Sequence, residues 1–320
     1  MSAYVQTVLN QKDVCEIGFS QCHEHLFLAN GTPALLNKAL LIDDYERSFA
    51  EVNEYKKNGG TLLVDAQPIG CGRMEQNLVR LSKETGVDIV ASTGFHSLSF
   101  YDESHWIFKF NETKLAEIFI SEAKNGMFIA TDKEVPNIQL TAKTGMIKTA
   151  VSPKGIETRN EKMFSAAAEA QCQTGLPIMI HMEKGADPLK VIHFFKEHSV
   201  PLDSLIFCHL DRTHHDYELH KEILSAGVFV EYDTIGRFKY HDDSVEADLI
   251  ENMIEAGYER QILLSLDTTR ERLGAYGGSI NLSYLLNKFI PYLKERGCPE
   301  AILHILTVEN PKQALLVRNL

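Results

Sequence analysis

The motif His23-Glu24-His25 is the part of the sequence best suited to do chemistry. It follows the apolar residues Ile17 and Phe19, so it is expected at the end of a β-strand. Side chains alternate along a strand, which places the two imidazoles on one face, about 6–7 Å apart. Two imidazoles at this spacing can bind one metal ion. Two unrelated histidines near a strand end would show the same pattern, and the motif alone leaves both interpretations open.

The elements that must position this motif are short strands alternating with helices. After the first strand, which ends near 21–27, strands are predicted at 61–66, 88–93, 146–150, 177–181, 205–209, 228–232 and 262–267. Helices are predicted at 43–58, 73–85, 112–125, 159–174, 187–198, 215–226, 244–256, 282–296 and 310–318. This alternation predicts an α/β fold, a (β/α)8 TIM barrel in one domain over residues 1–320. A doubly wound sheet is the alternative, but the chain lacks its glycine-rich first turn.

In such a barrel the functional site forms at the C-terminal ends of the strands. Five predicted strands end in residues with suitable chemistry: His23 and His25, Lys148, His181, His209, and Asp267. Four imidazoles and a carboxylate suit divalent ions such as Zn²⁺, Mn²⁺ or Co²⁺. They are too many for one catalytic ion that must keep an open position, so the set suggests two ions.

Lys148 is the unusual member of this set, because a protonated amine cannot bind a metal. Its neutral amine can react with CO₂ to form an anionic carbamate, whose two oxygens could bridge two ions. Burial beside dications shifts the lysine pKa in the required direction. From spacing alone, a Lys148 that pairs with an acidic neighbour at the barrel mouth is the simpler interpretation.

Motifs along the whole chain resemble those of the phosphotriesterase family of the amidohydrolase superfamily. The matching segments are 5–9, 23–25, 145–148, 166–168, 174–178 with 181, 209–211, 233–237, 264–267 and 309–311. The resemblance implies a binuclear site in which His23, His25 and Asp267 hold one ion and His181 and His209 hold the other. A carboxylated Lys148 would bridge them, with zinc the first expectation and manganese or cobalt the alternatives. One extra residue before His181 makes Lys154 the alternative bridging lysine.

The resemblance also implies a metal-dependent hydrolase. A hydroxide that bridges the two ions would attack the substrate, and the ion held by His181 and His209 would polarise the electrophilic oxygen. Asp267 would take the proton of the nucleophile and pass it to the leaving group. The expected activity is a lactonase that opens a small sugar lactone, with or without a phosphate group. An amide hydrolase of the N-acyl amino acid type or a phosphate-ester hydrolase is the alternative, and a ligand-binding barrel without turnover comes third.

Four cations follow strands seven and eight, in loops where barrels of this kind often bind phosphate: Arg237, Lys239, Arg270 and Arg272. Equally, Arg270 and Arg272 could pair with Glu271, Asp242 or Asp243 in salt bridges at the rim. The sequence does not decide between a phosphate site and a set of surface ion pairs.

Two further residues are expected at the substrate. His96 follows the third strand, where related lactonases place an aromatic residue, and it could donate a hydrogen bond to a substrate oxygen. The phosphosugar lactonases carry Arg-x-x-Tyr after strand eight, but here Tyr276 lies six positions after Arg270. Tyr101 and Trp106 belong to an aromatic-rich loop that forms a lid or packs on the rim. The remaining histidines in or beside the helices are expected to be solvated: His193, His198, His214, His215 and His220.

The composition restricts the partners of the chain. A net charge of −12 argues against nucleic acid or an anionic membrane as the main partner. Six cysteines without paired spacing are typical of reduced thiols, so a cytoplasmic location is expected, with no signal peptide. The expected partners are a small-molecule substrate and, by analogy, a second copy in a homodimer.

Overall fold

A barrel of eight parallel strands forms the centre of the molecule. The computed structural model describes residues 3–213 and 215–318. Within them, the barrel strands are β3 (Phe19–Glu24), β4 (Gly60–Asp65), β5 (Asp88–Gly94), β6 (Met146–Val151), β7 (Ile178–Met182), β8 (Leu205–Cys208), β9 (Phe229–Tyr232) and β10 (Ile262–Leu264). Each pairs in parallel with the next in chain order. An antiparallel hairpin of β1 (Tyr4–Gln6) and β2 (Gln11–Asp13), which the sequence patterns did not predict, precedes them.

The first and last barrel strands meet at a seam beside the histidine motif. Asp267 N donates to His23 O at 3.1 Å, and His23 N donates to Ser265 Oγ at 3.0 Å. Glu24 points to the other face, where its carboxylate accepts from Leu266 N at 2.9 Å. These bonds bring the ends of β3 and β10 together and nearly close the sheet, which confirms the predicted (β/α)8 barrel.

Helices follow the strands and cover the outside of the barrel. They are α1 (Thr32–Leu36), α2 (Tyr45–Lys57), α3 (Glu75–Thr85), α4 (Trp106–Lys109), α5 (Glu112–Lys124), α6 (Glu161–Thr174), α7 (Pro188–Glu197), α8 (Tyr217–Ser225), α9 (Asp243–Glu255), α10 (Ile290–Glu295), α11 (Glu300–His304) and α12 (Asn310–Ala314). Asp44, Asn111 and Asp187 cap their helices by accepting from backbone N–H groups. Gly86 and Gly175 end α3 and α6 in the left-handed conformation.

The end of the chain differs from the predicted pattern. Helical structure begins at Glu300, not at 310, because α11 continues through the π-helical turn Ile305–Glu309 into α12. Pro311 lies within this continuous segment. The wider turn before it accommodates the proline, which lacks an N–H and crowds the preceding turn. The turn Leu285–Phe289 precedes α10 and its Pro291 in the same way.

Several smaller expectations can be compared with the packing. Tyr101 and Trp106 are buried, and Trp106 Nε1 donates to Thr131 O at 2.7 Å, so this loop packs on the barrel. Of the histidines that were expected in solvent, His193, His198 and His215 are exposed, whereas His214 lies outside the described residues. His220 was expected in solvent, but it is fully buried and its Nδ1 lies 3.0 Å from Tyr232 Oη, because α8 packs it against β9. No helix in the described ranges is long and apolar enough to cross a membrane.

Candidate metal centre and active site

Three of the predicted ligands converge beside the seam of the barrel. His25 Nε2 lies 3.4 Å from Asp267 Oδ1, and His23 Nε2 lies 3.8 Å from the same oxygen. All three side chains are buried. Asp267 has a φ of 46°, in the left-handed region, which aspartate tolerates better than most residues. The three donors lie close enough together to hold one ion.

A second pair of imidazoles faces each other across the barrel mouth. His181 Nδ1 and His209 Nε2 lie 2.8 Å apart. The other nitrogen of each ring faces a carboxylate, with His181 Nε2 3.2 Å from Glu183 Oε2 and His209 Nδ1 2.7 Å from Asp233 Oδ1. When both rings are neutral and donate to these carboxylates, two lone pairs point at each other. Such a pair needs a shared cation, so the arrangement fits a metal ion.

Lys148 lies fully buried against the first group of ligands. Its Nζ is 3.2 Å from His23 Nε2 and 3.1 Å from Met179 Sδ. Among the described residues, no carboxylate lies within 4.0 Å of the Nζ, so the predicted alternative of an acidic partner is not observed. Lys154 instead lies exposed in the turn at 152–155, where its backbone N–H donates to Ser152 Oγ. Of the two lysines, the fold brings Lys148 to the imidazoles.

The electrostatics of the site favour neutral rings and an ionised carboxylate. Burial lowers the pKa of His23, His209 and His181, and the neighbouring Arg212 lowers the pKa of His209 further. Neutral imidazole is the form that binds metals. Burial alone would raise the pKa of Asp267, but the nearby Arg237 and the imidazoles outweigh it and hold that pKa well below its usual value.

Asp233 is a site residue to which sequence reasoning gave no role. It follows β9 directly, is fully buried, and places Oδ2 3.2 Å from His23 Nδ1 while Oδ1 contacts His209. Asp211 fixes this position by accepting from the backbone N–H groups of Asp233 and Thr234 at 2.7 and 2.6 Å. The sequence did contain a signal for this role, because Asp233 is a carboxylate directly after a strand whose two neighbouring strands end in predicted ligands.

Two of the residues predicted to bind substrate lie at the centre. Arg237 Nη1 is 3.0 Å from Asp267 Oδ2, and its Nη2 donates to the backbone oxygen of Asp267. The ring of His96 lies 5.0 Å from that of His181 and stacks on Phe100 at 4.6 Å, measured between centroids. Both side chains therefore border the imidazole cluster.

The other four predicted substrate contacts are engaged elsewhere or exposed. Arg272 is buried and donates to the backbone oxygens of Leu266 and Ile235, so it fixes the loops after β9 and β10. Among the described residues it forms no rim salt bridge with Glu271, Asp242 or Asp243, and its phosphate contact stays a prediction. Arg270 donates to Leu41 O at 3.0 Å. Its nearest carboxylate is Asp43, at 4.0 Å.

Tyr276 and Lys239 complete this comparison. The hydroxyl of Tyr276 donates to Asp44 O at 2.8 Å and lies 2.9 Å from Ser48 Oγ, so it is held against α2. Lys239 is exposed, with its Nζ 5.0 Å from the ring centre of Tyr240. The structure thus brings neither residue onto the imidazoles, although Lys239 remains at the rim.

A cleft opens beside the second imidazole pair. It has a volume of about 320 Å³ and is bordered by Ser97, Ser152, Arg159, Asn160, His181 and Glu183. A larger cavity of about 730 Å³ lies between the loops around 30–35, 70–72, 100–105 and 130–134. No predicted ligand lines the larger cavity, so the smaller cleft is the better candidate for substrate entry.

The fold and the site together define a TIM-barrel protein with a candidate metal centre at the C-terminal ends of its strands. The model of the phosphotriesterase family matches residues 3–315, so the chain belongs to that family and the resemblance inferred from its motifs is confirmed. Proteins of this family use a binuclear metal site.

Relatives of the chain are hydrolases. A phospho-furanose lactonase of Mycoplasmopsis synoviae is 28% identical over 98% of this chain and 91% of its own length. An N-acetyltaurine hydrolase of Pongo abelii is 28% identical over 98% of this chain and 98% of its own length. The crystal structure of a lactonase from Listeria monocytogenes, 27% identical, covers 99% of this chain and 100% of its own, with a TM-score of 0.89. The chain is accordingly a hydrolase of this family.

Proposed function

We propose that this protein is a lactonase that hydrolyses a small furanose lactone carrying a phosphate group. The observation that carries the chemistry is the pair of lone-pair-bearing nitrogens on His181 and His209, 2.8 Å apart, beside the cluster of His23, His25 and Asp267. The lactonase relatives, which align over nearly the whole chain, support the choice of substrate class.

The proposed metal set uses six side chains of the centre. His23, His25 and Asp267 would hold one ion, His181 and His209 the other, and Lys148 would bridge them as a carbamate, with zinc as the expected metal. Bound there, two such ions supply an activated water and a Lewis acid for the acyl oxygen. A carbonyl resonance from ¹³C-labelled bicarbonate, present in the wild type and absent in Lys148→Met, would support the carbamate. Absence of this resonance from both proteins would contradict the carbamate.

The protein's own groups organise the reaction around these donors. Glu183 and Asp233 hold the rings of His181 and His209 in the tautomers that point a lone pair into the site. Asp267, at the first group, is placed to accept a proton from the attacking water and deliver it to the ring oxygen of the lactone as that oxygen leaves. Opening the ring yields a carboxylate and, at neutral pH, releases a proton.

The phosphate of the substrate is assigned to the loop after β9. Arg237 is buried beside Asp267, Lys239 is exposed at the rim, and Tyr240 lies between them, with the Arg237 Cζ 5.8 Å and the Lys239 Nζ 5.0 Å from its ring centre. Two cations on one loop suit a dianionic group. Arg270 and Arg272 lie on the other loop, after β10, where both donate to backbone oxygens.

The test of this function compares furanose lactones with and without a terminal phosphate, followed by proton release at pH 7–8. Metal-loaded wild type is expected to prefer the phosphorylated lactone, and Lys239→Ala should lose much of that preference by raising KM. Arg260→Ala is the matched control, since Arg260 is exposed and precedes β10, at the opposite end of the barrel. Equal rates on both lactones would support the lactonase activity and contradict the proposed recognition of a phosphate group.

Amide hydrolysis is the second candidate. Its support is the N-acetyltaurine hydrolase relative, which aligns with nearly all of this chain. The same donors would serve an amide carbonyl, and N-acetyl amino sulfonates belong in the panel for this reason. Turnover of these amides without turnover of any lactone would make the amide hydrolase the better assignment.

Location and assembly form part of the same proposal. The six cysteines are free thiols, which supports a reducing compartment such as the cytoplasm. The expected homodimer stays a prediction, which the mass of the protein in solution would test.

A further inference from the structure

Arg212 lies beside the site, and its side chain donates no hydrogen bond to any other residue that the structure describes. It belongs to the turn Leu210–Thr213 after β8, three residues after His209. Its Nη2 is 3.8 Å from Asp267 Oδ2, and its Nη1 is 4.0 Å from Glu183 Oε1. One guanidinium therefore spans the two halves of the centre, since Asp267 lies at His25 and Glu183 lies at His181.

These two distances are too long for hydrogen bonds. The Nε of Arg212 is buried and has no hydrogen-bond partner among residues 3–213 and 215–318. The Nε atoms of Arg237 and Arg272 are likewise unpaired, but each of these arginines uses both terminal nitrogens on oxygens of the protein. A largely buried guanidinium with unpaired N–H groups is unfavourable unless a ligand accepts hydrogen bonds from them.

The side chain is nevertheless held in place. Its Cζ lies 5.3 Å from the ring centre of Tyr240, and the side chain is 13% exposed. Stacking on a ring uses the face of the guanidinium and leaves its N–H edges free. The carboxylates of Glu183 and Asp267 lie on either side of the group. Arg212 is thus preorganised to receive a planar oxyanion.

We propose that Arg212 binds the acyl end of the substrate, as the contact for the oxygen that gains negative charge and for the carboxylate of the hydroxy-acid product. This inference rests on the proposed function and names a residue that its metal set does not include. The location decides the ligand, because Arg212 reaches the carboxylates beside both groups of imidazoles, where the ester carbonyl must lie. A phosphate at the far end of the substrate falls to the loop after β9, where Lys239 is exposed at the rim.

The test uses Arg212→Gln and Arg212→Lys in the metal-loaded protein. The first readout is equilibrium binding, by calorimetry, of the hydroxy acid left by the preferred lactone, with acetate as a second probe. Arg212→Gln should weaken binding of the hydroxy acid by about tenfold or more, since it loses a charge-assisted contact, and Arg212→Lys should recover part of it. The control is Arg260→Gln, with metal content and melting curves recorded for every variant.

The second readout is the kcat/KM of each variant on a lactone with and without phosphate. Equal losses on both lactones support the assignment to the acyl end. A loss confined to the phosphorylated lactone would overturn it and place the phosphate at Arg212. Product binding unchanged in Arg212→Gln would also overturn it. Failure of the proposed function is separate, since it would appear in the wild type as no turnover of any lactone, and acetate binding would still test Arg212.

Discussion

The carboxylate of Asp233 contacts one histidine from each half of the metal centre. Its Oδ1 lies 2.7 Å from His209 Nδ1, and its Oδ2 lies 3.2 Å from His23 Nδ1. The first contact is a hydrogen bond, and the second is an ion-pair distance without hydrogen-bond alignment. The hydrogen bond holds the ring of His209 in the tautomer whose Nε2 faces the metal position, and the second contact places a carboxylate oxygen beside His23 Nδ1.

Asp233→Asn should weaken both metal sites together. An amide can accept with only one of its two terminal atoms, so one of the two histidine contacts becomes a donor facing a donor. Loss of such an outer contact lowers metal affinity by about 10–100-fold. Metal content after dialysis against graded chelator concentrations measures this. Asp242→Asn, at an exposed position that makes no side-chain cap, is the control. Retention of both ions at wild-type levels would contradict the role of Asp233.

Asp267→Asn should separate proton transfer from folding. Asparagine also tolerates the left-handed backbone found here, at φ 46°, so the turn after β10 should survive. Loss of the proton acceptor is expected to lower kcat by about 10²–10⁴-fold. The variant is assayed by proton release, with its melting temperature and metal content measured in parallel. Full activity at normal metal content would exclude Asp267 as the proton carrier.

Arg272→Met should act on stability more than on substrate binding. The wild-type side chain is buried and donates to backbone oxygens of Leu266 and Ile235. Removing these bonds leaves buried acceptors unpaired and should lower the free energy of unfolding by about 2–4 kcal/mol. Chemical denaturation measures the change, with Arg260→Met as an exposed control. A stable variant with a raised KM would instead restore Arg272 to the substrate site.

His105 should make the protein sensitive to acid. Burial lowers its pKa to about 4 from 6.5, and its neutral ring accepts from Ile107 N at 3.2 Å to cap α4. Between these two values the His105 ring is protonated in the unfolded chain and neutral in the folded chain. The contribution of His105 to the free energy of unfolding is therefore fully present above pH 6.5 and decreases as the pH falls toward 4.

Denaturation at several pH values tests this dependence. His105→Asn should flatten the decline, because asparagine caps a helix without titrating. His193→Asn, at an exposed position, should leave the wild-type profile unchanged. The same slope in wild type and His105→Asn would assign the acid sensitivity to other groups.

The barrel and the convergence of the candidate metal donors could be predicted from the sequence because both depend on local patterns. A histidine or aspartate at the end of a predicted strand can be located from the strand pattern, and the parallel barrel brings all such strand ends to one face. The helix predicted at 310–318 instead begins at Glu300, because the π-helical turn that joins α11 to α12 depends on packing that the sequence pattern does not show.

The substrate residues were harder to predict because charge alone does not show what a side chain contacts. Arg237 and Arg272 look equivalent in sequence, yet one lies on Asp267 Oδ2 while the other binds backbone oxygens. Arg212 and Asp233 received no role, since contacts between different loops leave no pattern along the chain. The left-handed φ of His209, 66°, likewise depends on the turn that follows β8.

The most direct test of the central claim is turnover of a phosphorylated furanose lactone by metal-free and zinc-loaded protein, followed as proton release. The account predicts that the metal-free protein is inactive and that activity rises with added zinc until two ions are bound for each chain. Activity in the metal-free protein, or full activity with one ion, would contradict the binuclear lactonase.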